Sequence, residues 1–584
     1  MQAEDSSIRL VRPITGADAK KETVHDLCLI NSKEVRIHPS TKEIAAYVCN
    51  KPGCNYIIQN NAWQIPMDMC AQLISEGFFS KSKIKGTPLS VIKQLAANTT
   101  TKQDENHHNP VMTQMQAINS KETIFLKPHQ IEGIKIAVKR NYRVLIADEM
   151  GLGKTLQAIS IARTLLETHK SNYDRCNQTK LVYIVIFAPA SNVQMWINEA
   201  KKFISEESYD IKNFTPSPPT YQNKAKNPIV LVSSYAGALT KITKIDLNDV
   251  ILGIADESQN LKNPESKRAS ILVPFLSKLK HVLLLSGTPA LSNPNELYTQ
   301  IKIINPSLFS YLEYHERYCR LADNHYNALN PRLKQLVKYR GSKNLDELKV
   351  ILKELVMIRR VKKECLSLGE KKRILVTFST DLVKKELNSN LKINSKTLQN
   401  ELLSEYNQSA KDKVSDLILF IKELKMRVKG KVIVFAHHTE ILTSIYQEFI
   451  KNAVIITGST PKAKRETICT KFKEDLNINL AVLSLKACST GLTLVCATTV
   501  VFAELPWTPG DLHQAEDRIY RIGQLETVRI YYLIASYVDK YMWPLLRRKN
   551  NMLNTIGIIE KEKEDLRFEE FDPKQKKLNV FGLE

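Results

Sequence analysis

One stretch limits what this chain can fold into more than any other: residues 144–159, VLIADEMGLGKTLQAI. A short apolar strand runs into a glycine-bearing turn, and an amphipathic helix opens at Lys154-Thr155. Such a turn presents consecutive backbone N–H groups as a concave nest at the positive end of a helix, an arrangement suited to phosphate oxygens. Asp148, Glu149, Met150, Gly151, Leu152 and Gly153 would form the nest. Lys154 would reach the terminal phosphates, and the Thr155 hydroxyl would ligate magnesium. The usual pattern has a glycine seven residues before the threonine, where this chain has Asp148. On this motif alone a plain glycine-rich loop is the alternative, so the rest of the chain has to decide.

The surrounding pattern fits a sheet that can carry such a loop. Apolar runs at 143–148, 181–188, 229–233, 250–256 and 282–286 read as strands, and amphipathic segments at 154–169, 193–203 and 265–279 read as helices. Strands alternating with helices mean a parallel sheet covered on both faces, with its active edge at the carboxyl ends of the strands. A second alternation begins at Lys431 with KVIVFAHH and runs through VIITG, INLAVLSL, TTVVFAEL and VRIYYLIA. The fold class expected is therefore α/β, with two parallel-sheet lobes and a small α+β module ahead of them. The layout expected is a polar tail at 1–32, the module at 33–95, a polar linker at 96–120 and a first lobe at 121–305. Helical insertions and an inter-lobe linker follow at 306–428, then a second lobe at 429–538. A brace helix with Trp543 and a loose charged tail complete it at 539–584. Within the insertions, Arg359-Arg360 and Lys362-Lys363 form a basic cluster that is either a solvated helix face or a contact to a phosphate backbone. In the module, Trp63 either packs in the core or stacks on a base.

Charge narrows the choice of partner. Lys and Arg total 84 against 61 Asp and Glu, a net charge of +23, which favours a polyanion and most simply nucleic acid. Ten cysteines without a regular framework suit a reducing compartment. Cys49, Cys54 and Cys70 with His25 or His38 lack the C-x-x-C pair that a zinc site would need, and His107-His108 falls in the linker. No uncharged apolar run reaches the ~20 residues of a membrane span, and the N-terminus has no signal-peptide core.

Three further motifs carry chemistry. Asp256-Glu257 closes the strand VILGIAD about one hundred residues after the loop, a spacing read straight from the sequence. There Asp256 would hold magnesium, and Glu257 would orient and deprotonate an attacking water. SGTP, 286–289, ends the next strand, where its hydroxyls can sense that carboxylate pair. QAEDRIYRIGQ, 514–524, puts Arg518 and Arg521 three apart on one helical face. From there they would stabilise charge on a transferring phosphoryl group.

The ordered set DEMGLGKT, DESQ, SGTPA, TGLTL and QAEDRIYRIGQ resembles the SWI/SNF-type DNA-dependent ATPases within superfamily two helicases, over about residues 121–557. Asp148 is the form that family uses at its position. LLLSGTPALSNPNELYTQI, ERYC, MIRR and YMWPLL are similar to the annealing-helicase branch, the HARP-like or HepA-related proteins. Residues 33–95, with YIIQNNAWQIPMDMCAQLI, resemble that branch's HARP domain. The resemblance implies two RecA-like lobes that use ATP and Mg2+. Gln130 would read adenine, Gly151, Gly153, Lys154 and Thr155 would hold the phosphates, and Arg521, assisted by Arg518, would be the finger. DESQ carries Gln259 where the family usually has histidine, a change aimed at coupling between nucleotide and DNA more than at hydrolysis. The resemblance implies single-strand-binding protein as a further partner, but the first 32 residues show no clear counterpart of the helix through which the branch recruits it, which puts that partnership in doubt.

The resulting expectation is a nuclear, monomeric, ATP-dependent DNA translocase that rewinds or remodels forked DNA or single-strand/double-strand junctions. The rivals are a nucleosome-remodelling ATPase and a catalytically inactive DNA-binding scaffold.

Overall fold

The computed structural model describes residues 24–79, 83–100, 114–116, 123–176, 182–204, 210–213, 228–321, 339–384, 395–485, 494–559, 566–575 and 577–581. The chain divides into two compact units, Met1–Asp104 and Glu105–Glu584.

The first unit is α+β. Its five-stranded sheet runs Asn55–Ile57, Ala62–Pro66, Glu34–His38, Val24–Asn31, Lys83–Gly86. The pairings are antiparallel except the last. Helices Lys42–Val48, Met67–Ser75 and Leu89–Thr100 complete it. Strand Val24–Asn31 therefore lies where a polar tail was expected: its Leu27 and Leu29 are buried, an alternation too short to stand out beside HDLCLIN. Trp63 is a core residue, buried, with its indole N–H donating to Ser40 Oγ at 3.0 Å; the half-exposed ring beside it, 5.2 Å away, is Tyr56. Cys70 is buried in the same core, Cys54 is half-buried and Cys49 is exposed.

The second unit holds two parallel-sheet lobes of RecA-like kind. The first sheet runs Asp210–Asn213, Ile229–Ser234, Tyr183–Ala188, Val250–Asp256, Val282–Leu285, Arg143–Ile146, Met357–Ile358, parallel throughout. Its inner strands Tyr183–Ala188 and Val282–Leu285 are buried from end to end, as apolar runs covered by helices on both faces must be. Helix Lys154–Cys176 follows the phosphate-loop turn, and helix Val193–Phe203 buries Trp196, Ile197 and Ala200 against the sheet.

The second sheet runs Ala453–Ile456, Leu480–Ser484, Lys431–Ala436, Ala497–Phe502, Val528–Ile534, Lys371–Phe378, Leu566–Asp572, Lys577–Phe581. Only the last pairing is antiparallel. Two boundaries of the layout read from the sequence shift here. Residues 306–428 are not only helical insertions: Met357–Ile358 closes one edge of the first sheet, and Lys371–Phe378 is an inner strand of the second. The stretch after the brace helix is not a loose tail, because Leu566–Asp572 pairs with Lys371–Phe378 and buries Phe571 against Phe378 and Phe420. The brace helix Tyr537–Thr555 is pinned by an ion pair shut off from solvent, with Lys413 Nζ 3.0 Å from both oxygens of Asp539. No helix among the described residues is long and apolar enough to cross a membrane.

Candidate active site

The loop 147–153 crosses the carboxyl edge of the first sheet between strand Arg143–Ile146 and helix Lys154–Cys176. Gly151 and Gly153 adopt φ of +88° and +81°, a backbone that side chains rarely tolerate. A Cβ at Gly153 would stand 2.2 Å from Gln130 Nε2. Gln130, near the start of helix Pro128–Lys139, is pinned to the loop: Nε2 donates to Leu152 O at 3.2 Å, and Oε1 accepts from Lys127 N at 2.9 Å. Lys154 Nζ donates to the carbonyls of Asp148 and Glu149, at 2.8 and 3.2 Å. Burial pushes its ammonium below the usual lysine range, and Glu257, Asp148 and Asp256 push it back up. Thr155 is the second residue of the helix.

Asp148 serves the loop from beneath. Its carboxylate is completely buried and accepts from Arg360 Nε at 2.9 Å, Arg360 Nη2 at 2.5 Å, Arg360 N at 3.1 Å and Gln157 Nε2 at 2.9 Å. Of the basic cluster at 359–363 only Lys363 is solvated; the other three basic side chains bond within the protein. Arg360 is the buried partner of Asp148. Arg359 donates to the carbonyls of Ala147 and Gly287. Lys362 is buried against the second lobe.

Opposite the loop, Asp256 ends its strand and Glu257 takes a left-handed φ of +50°. Asp256 Oδ2 accepts from Trp196 Nε1 at 2.9 Å and Asn192 Nδ2 at 3.2 Å, while its carbonyl accepts from the Tyr235 hydroxyl at 2.7 Å. Burial, then the neighbouring Glu257 carboxylate, raise the Asp256 carboxyl to about 6. A carboxylate held up in this way gains from a divalent cation, so the donor set of Asp256 with Thr155 fits Mg2+.

From Glu257 a chain of hydrogen bonds leaves the lobe. Gln259 Nε2 donates to Glu257 Oε2 at 2.7 Å, and Gln259 Oε1 accepts from Ser286 Oγ at 2.7 Å. Ser286 Oγ accepts from Thr288 N at 3.1 Å, and Thr288 Oγ1 accepts from Gln514 Nε2 of the second lobe at 3.0 Å. The SGTP turn therefore joins the carboxylate pair to the segment that carries the arginines.

That segment is not helical through Arg521. Helix Pro509–Glu516 ends at Asp517, because the N–H groups of Arg518 and Ile519 bond three residues back, to Ala515 and Glu516, and tighten the chain into turns. Arg518 is buried, and its Nε finds no partner among the described residues. Arg521 sits over the loop, its Cβ 3.6 Å from where a Cβ of Gly151 would be. Burial and the adjacent Arg518 lower its guanidinium. Of TGLTL, 490–494, all but Leu494 lies outside the described residues, as does His107-His108. Sequence reasoning missed Arg360 and Lys362 as partners of the loop, and Asn192, Trp196 and Tyr235 as the cradle of Asp256. Trp196 carried only the signal of a core residue on an amphipathic helix.

The SNF2-related domain family matches residues 129–430, and the helicase conserved C-terminal domain matches 409–523. Over 489 residues, 79% of this chain, it is 35% identical to the SWI/SNF-related matrix-associated actin-dependent regulator of chromatin subfamily A-like protein 1 of Xenopus tropicalis, and covers 48% of that protein. It is 34% identical over 468 residues, 76% of this chain and 41% of the relative, to the DNA annealing helicase and endonuclease ZRANB3 of Homo sapiens. It is 30% identical over 571 residues to the subfamily A-like protein 1 homolog of Caenorhabditis elegans, covering 94% of this chain and 77% of that one. The chain spans about half the length of the vertebrate relatives it matches.

Proposed function

Because the chain belongs to the SNF2-related family, we propose that it is a DNA-dependent ATPase that moves along DNA and rewinds or remodels forked duplexes and single-strand/double-strand junctions. The observation that carries this reading is Arg521 of one lobe standing over the loop of the other, whose Lys154 feels the charges of Asp256 and Glu257.

In this reading the backbone of 149–153 and Lys154 hold the phosphates, and Gln130 reads adenine. Magnesium, held by Thr155 and Asp256, would supply charge neutralisation at the phosphoryl group. Glu257 takes the proton of the attacking water, and Arg521 with Arg518 offsets the charge that develops across the cleft. Opening and closing of the lobes then shifts the grip along one strand.

Contact to DNA is through its backbone, supported by the charge of +23 and by a ledge on the first lobe. There a cavity of ≈ 450 Å³ beside the strand ends is lined by Ser234, Tyr235, Asn260, Lys267 and Arg268 among others. The names of the relatives, a regulator of chromatin and a DNA annealing helicase, support a nuclear setting and an annealing activity. The module before the motor would select the junction.

The test is the rate of ATP hydrolysis without DNA and with fork, plain duplex and nucleosomal DNA, alongside annealing of a fork. Fork-stimulated hydrolysis that weakens steeply with salt supports the reading. Rates independent of DNA overturn it, and preferential stimulation by nucleosomes moves the chain to the remodellers.

A further inference from the structure

Residues 357–362 run beside the first half of the phosphate loop. Strand Met357–Ile358 pairs with Leu145 and Ile146. Beyond it, Ala147 N donates to Ile358 O at 2.7 Å, and Glu149 N donates to Arg360 O at 3.0 Å. Arg360 N reaches Asp148 Oδ1, and Lys362 N donates to Glu149 Oε2 at 2.7 Å. Each step of the loop from Ala147 to Glu149 is thus matched by a step of this segment.

At Lys362 the segment changes partners. Its side chain is 3% exposed, although a lysine normally keeps its ammonium in water. Nζ donates to Asp517 Oδ1 and, at 2.6 Å, to Tyr520 O. It also lies 5.7 Å from the Tyr520 ring centre. Both acceptors belong to the turn that places Arg518 and Arg521. One residue therefore binds the phosphate loop through its backbone and the arginine turn through its side chain. A buried ammonium with so few partners is costly to strand, so its two acceptors and the ring beside them constrain the position of one lobe against the other.

We propose that Lys362 is a positioning residue, touching no nucleotide, that registers the arginine turn of the second lobe on the phosphate loop of the first. The proposal rests on the ATPase reading above. It assigns Lys362 an effect on the rate of phosphoryl transfer rather than on nucleotide affinity, because Arg518 and Arg521 act on charge that develops in the transition state.

The test uses the full chain with Lys362→Met, Lys362→Arg, Asp517→Asn and the double variant Lys362→Met with Asp517→Asn. With saturating fork DNA, Lys362→Met should lower kcat on the order of tenfold while KM for ATP stays within about threefold, since the interaction lost is one realised at the transition state. Lys362→Arg should recover most of the rate, and the double variant should be no slower than Lys362→Met alone. Hydrogen exchange gives a readout independent of turnover. Asp517→Asn, a change in the second lobe, should speed exchange at the Ala147 and Glu149 amides of the first. Unchanged kcat in both single variants, effects that multiply in the double variant, or loop amides indifferent to Asp517→Asn would each overturn the proposal. If the unaltered chain hydrolyses no ATP, the ATPase reading fails by itself and the exchange measurement still decides the link between the lobes.

Discussion

Restoring the glycine of the general phosphate-loop pattern should harm this protein. Asp148→Gly would place that residue where the pattern has it, yet Asp148 has no positive φ for glycine to relieve. What the substitution removes is the buried partner of Arg360: two side-chain bonds at 2.9 and 2.5 Å and one from the Arg360 backbone at 3.1 Å. The guanidinium would keep only Gln157 Oε1, at 3.1 Å, and a distant Glu132 at 3.9 Å. Leaving one member of a buried ion pair alone costs about 3–5 kcal/mol, and glycine adds up to ~1 kcal/mol of backbone entropy. For a lobe of this size that amounts to a drop in melting temperature of roughly 10 °C. Arg360→Met alone should cost a similar amount, while the double variant Asp148→Gly with Arg360→Met should recover much of the loss, because both charges then leave together. Thermal or urea unfolding of the four proteins measures this, with KM for ATP recorded beside it. A single Asp148→Gly variant that melts within about 2 °C of the parent, or that binds ATP more tightly, would refute the claim that this carboxylate supports the loop rather than interrupts it.

Glu257→Gln keeps the shape of the site and removes its base, so it should bind ATP in an equilibrium assay and lose hydrolysis by about 10²–10⁴-fold. Arg521→Ala should lower kcat by about 10³-fold or more with ATP affinity little changed, which single-turnover kinetics would show. Asp256, raised to about 6, must be deprotonated to hold a cation, so the rise in melting temperature given by Mg2+ and ATP should be full at pH 8 and fade as pH falls through about 6. Asp256→Asn should make that rise small at every pH. Residues 105–584 form a compact unit without the N-terminal module; that fragment should keep DNA-stimulated hydrolysis and lose most fork annealing, measured side by side with the full chain.

Much of the lobe architecture was legible because it rests on local pattern. Buried parallel strands such as YIVIFA, and VILGIAD up to its closing Asp256, are unbroken by charge, and an amphipathic helix comes after each. The sheet edges were not legible. Met357–Ile358 is two residues long and joins its sheet only through partners more than 200 positions earlier. Leu566–Asp572 carries Arg567, Glu569, Glu570 and Asp572, so its burial of Phe571 is hidden among charges, one of which, Glu569, is itself buried. The same limit applies at the site. Spacing could nominate Lys154, Asp256 and Glu257, since each sits at a strand end or helix start. It could not nominate Arg360 or Lys362, whose roles come from a segment arriving beside the loop after a whole sheet has been built. Arg518 and Arg521 were nominated as a pair, but the helix assumed to align them ends first, at Asp517.

Gln259 shows how a departure from a family pattern can keep the connection and change its chemistry. The connection needs a group that donates to Glu257 and accepts from Ser286. An amide does both at once, with Nε2 and Oε1 each at 2.7 Å from their partners. A neutral histidine can also donate from one nitrogen and accept on the other, but once protonated it has two donors and no acceptor. The Ser286 hydroxyl would then have to turn away, and the line through Thr288 to Gln514 would break at its second link. A glutamine has no such transition between pH 5 and 8. The path from Glu257 to the second lobe therefore stays intact at pH values where a histidine would become charged, and the acid limb expected of activity is left to Asp256. Gln259→His should keep hydrolysis near pH 8 and steepen its loss below pH 7, with DNA stimulation falling ahead of basal turnover. A pH profile identical to that of the parent would mean that the Ser286 bond carries no coupling between the lobes.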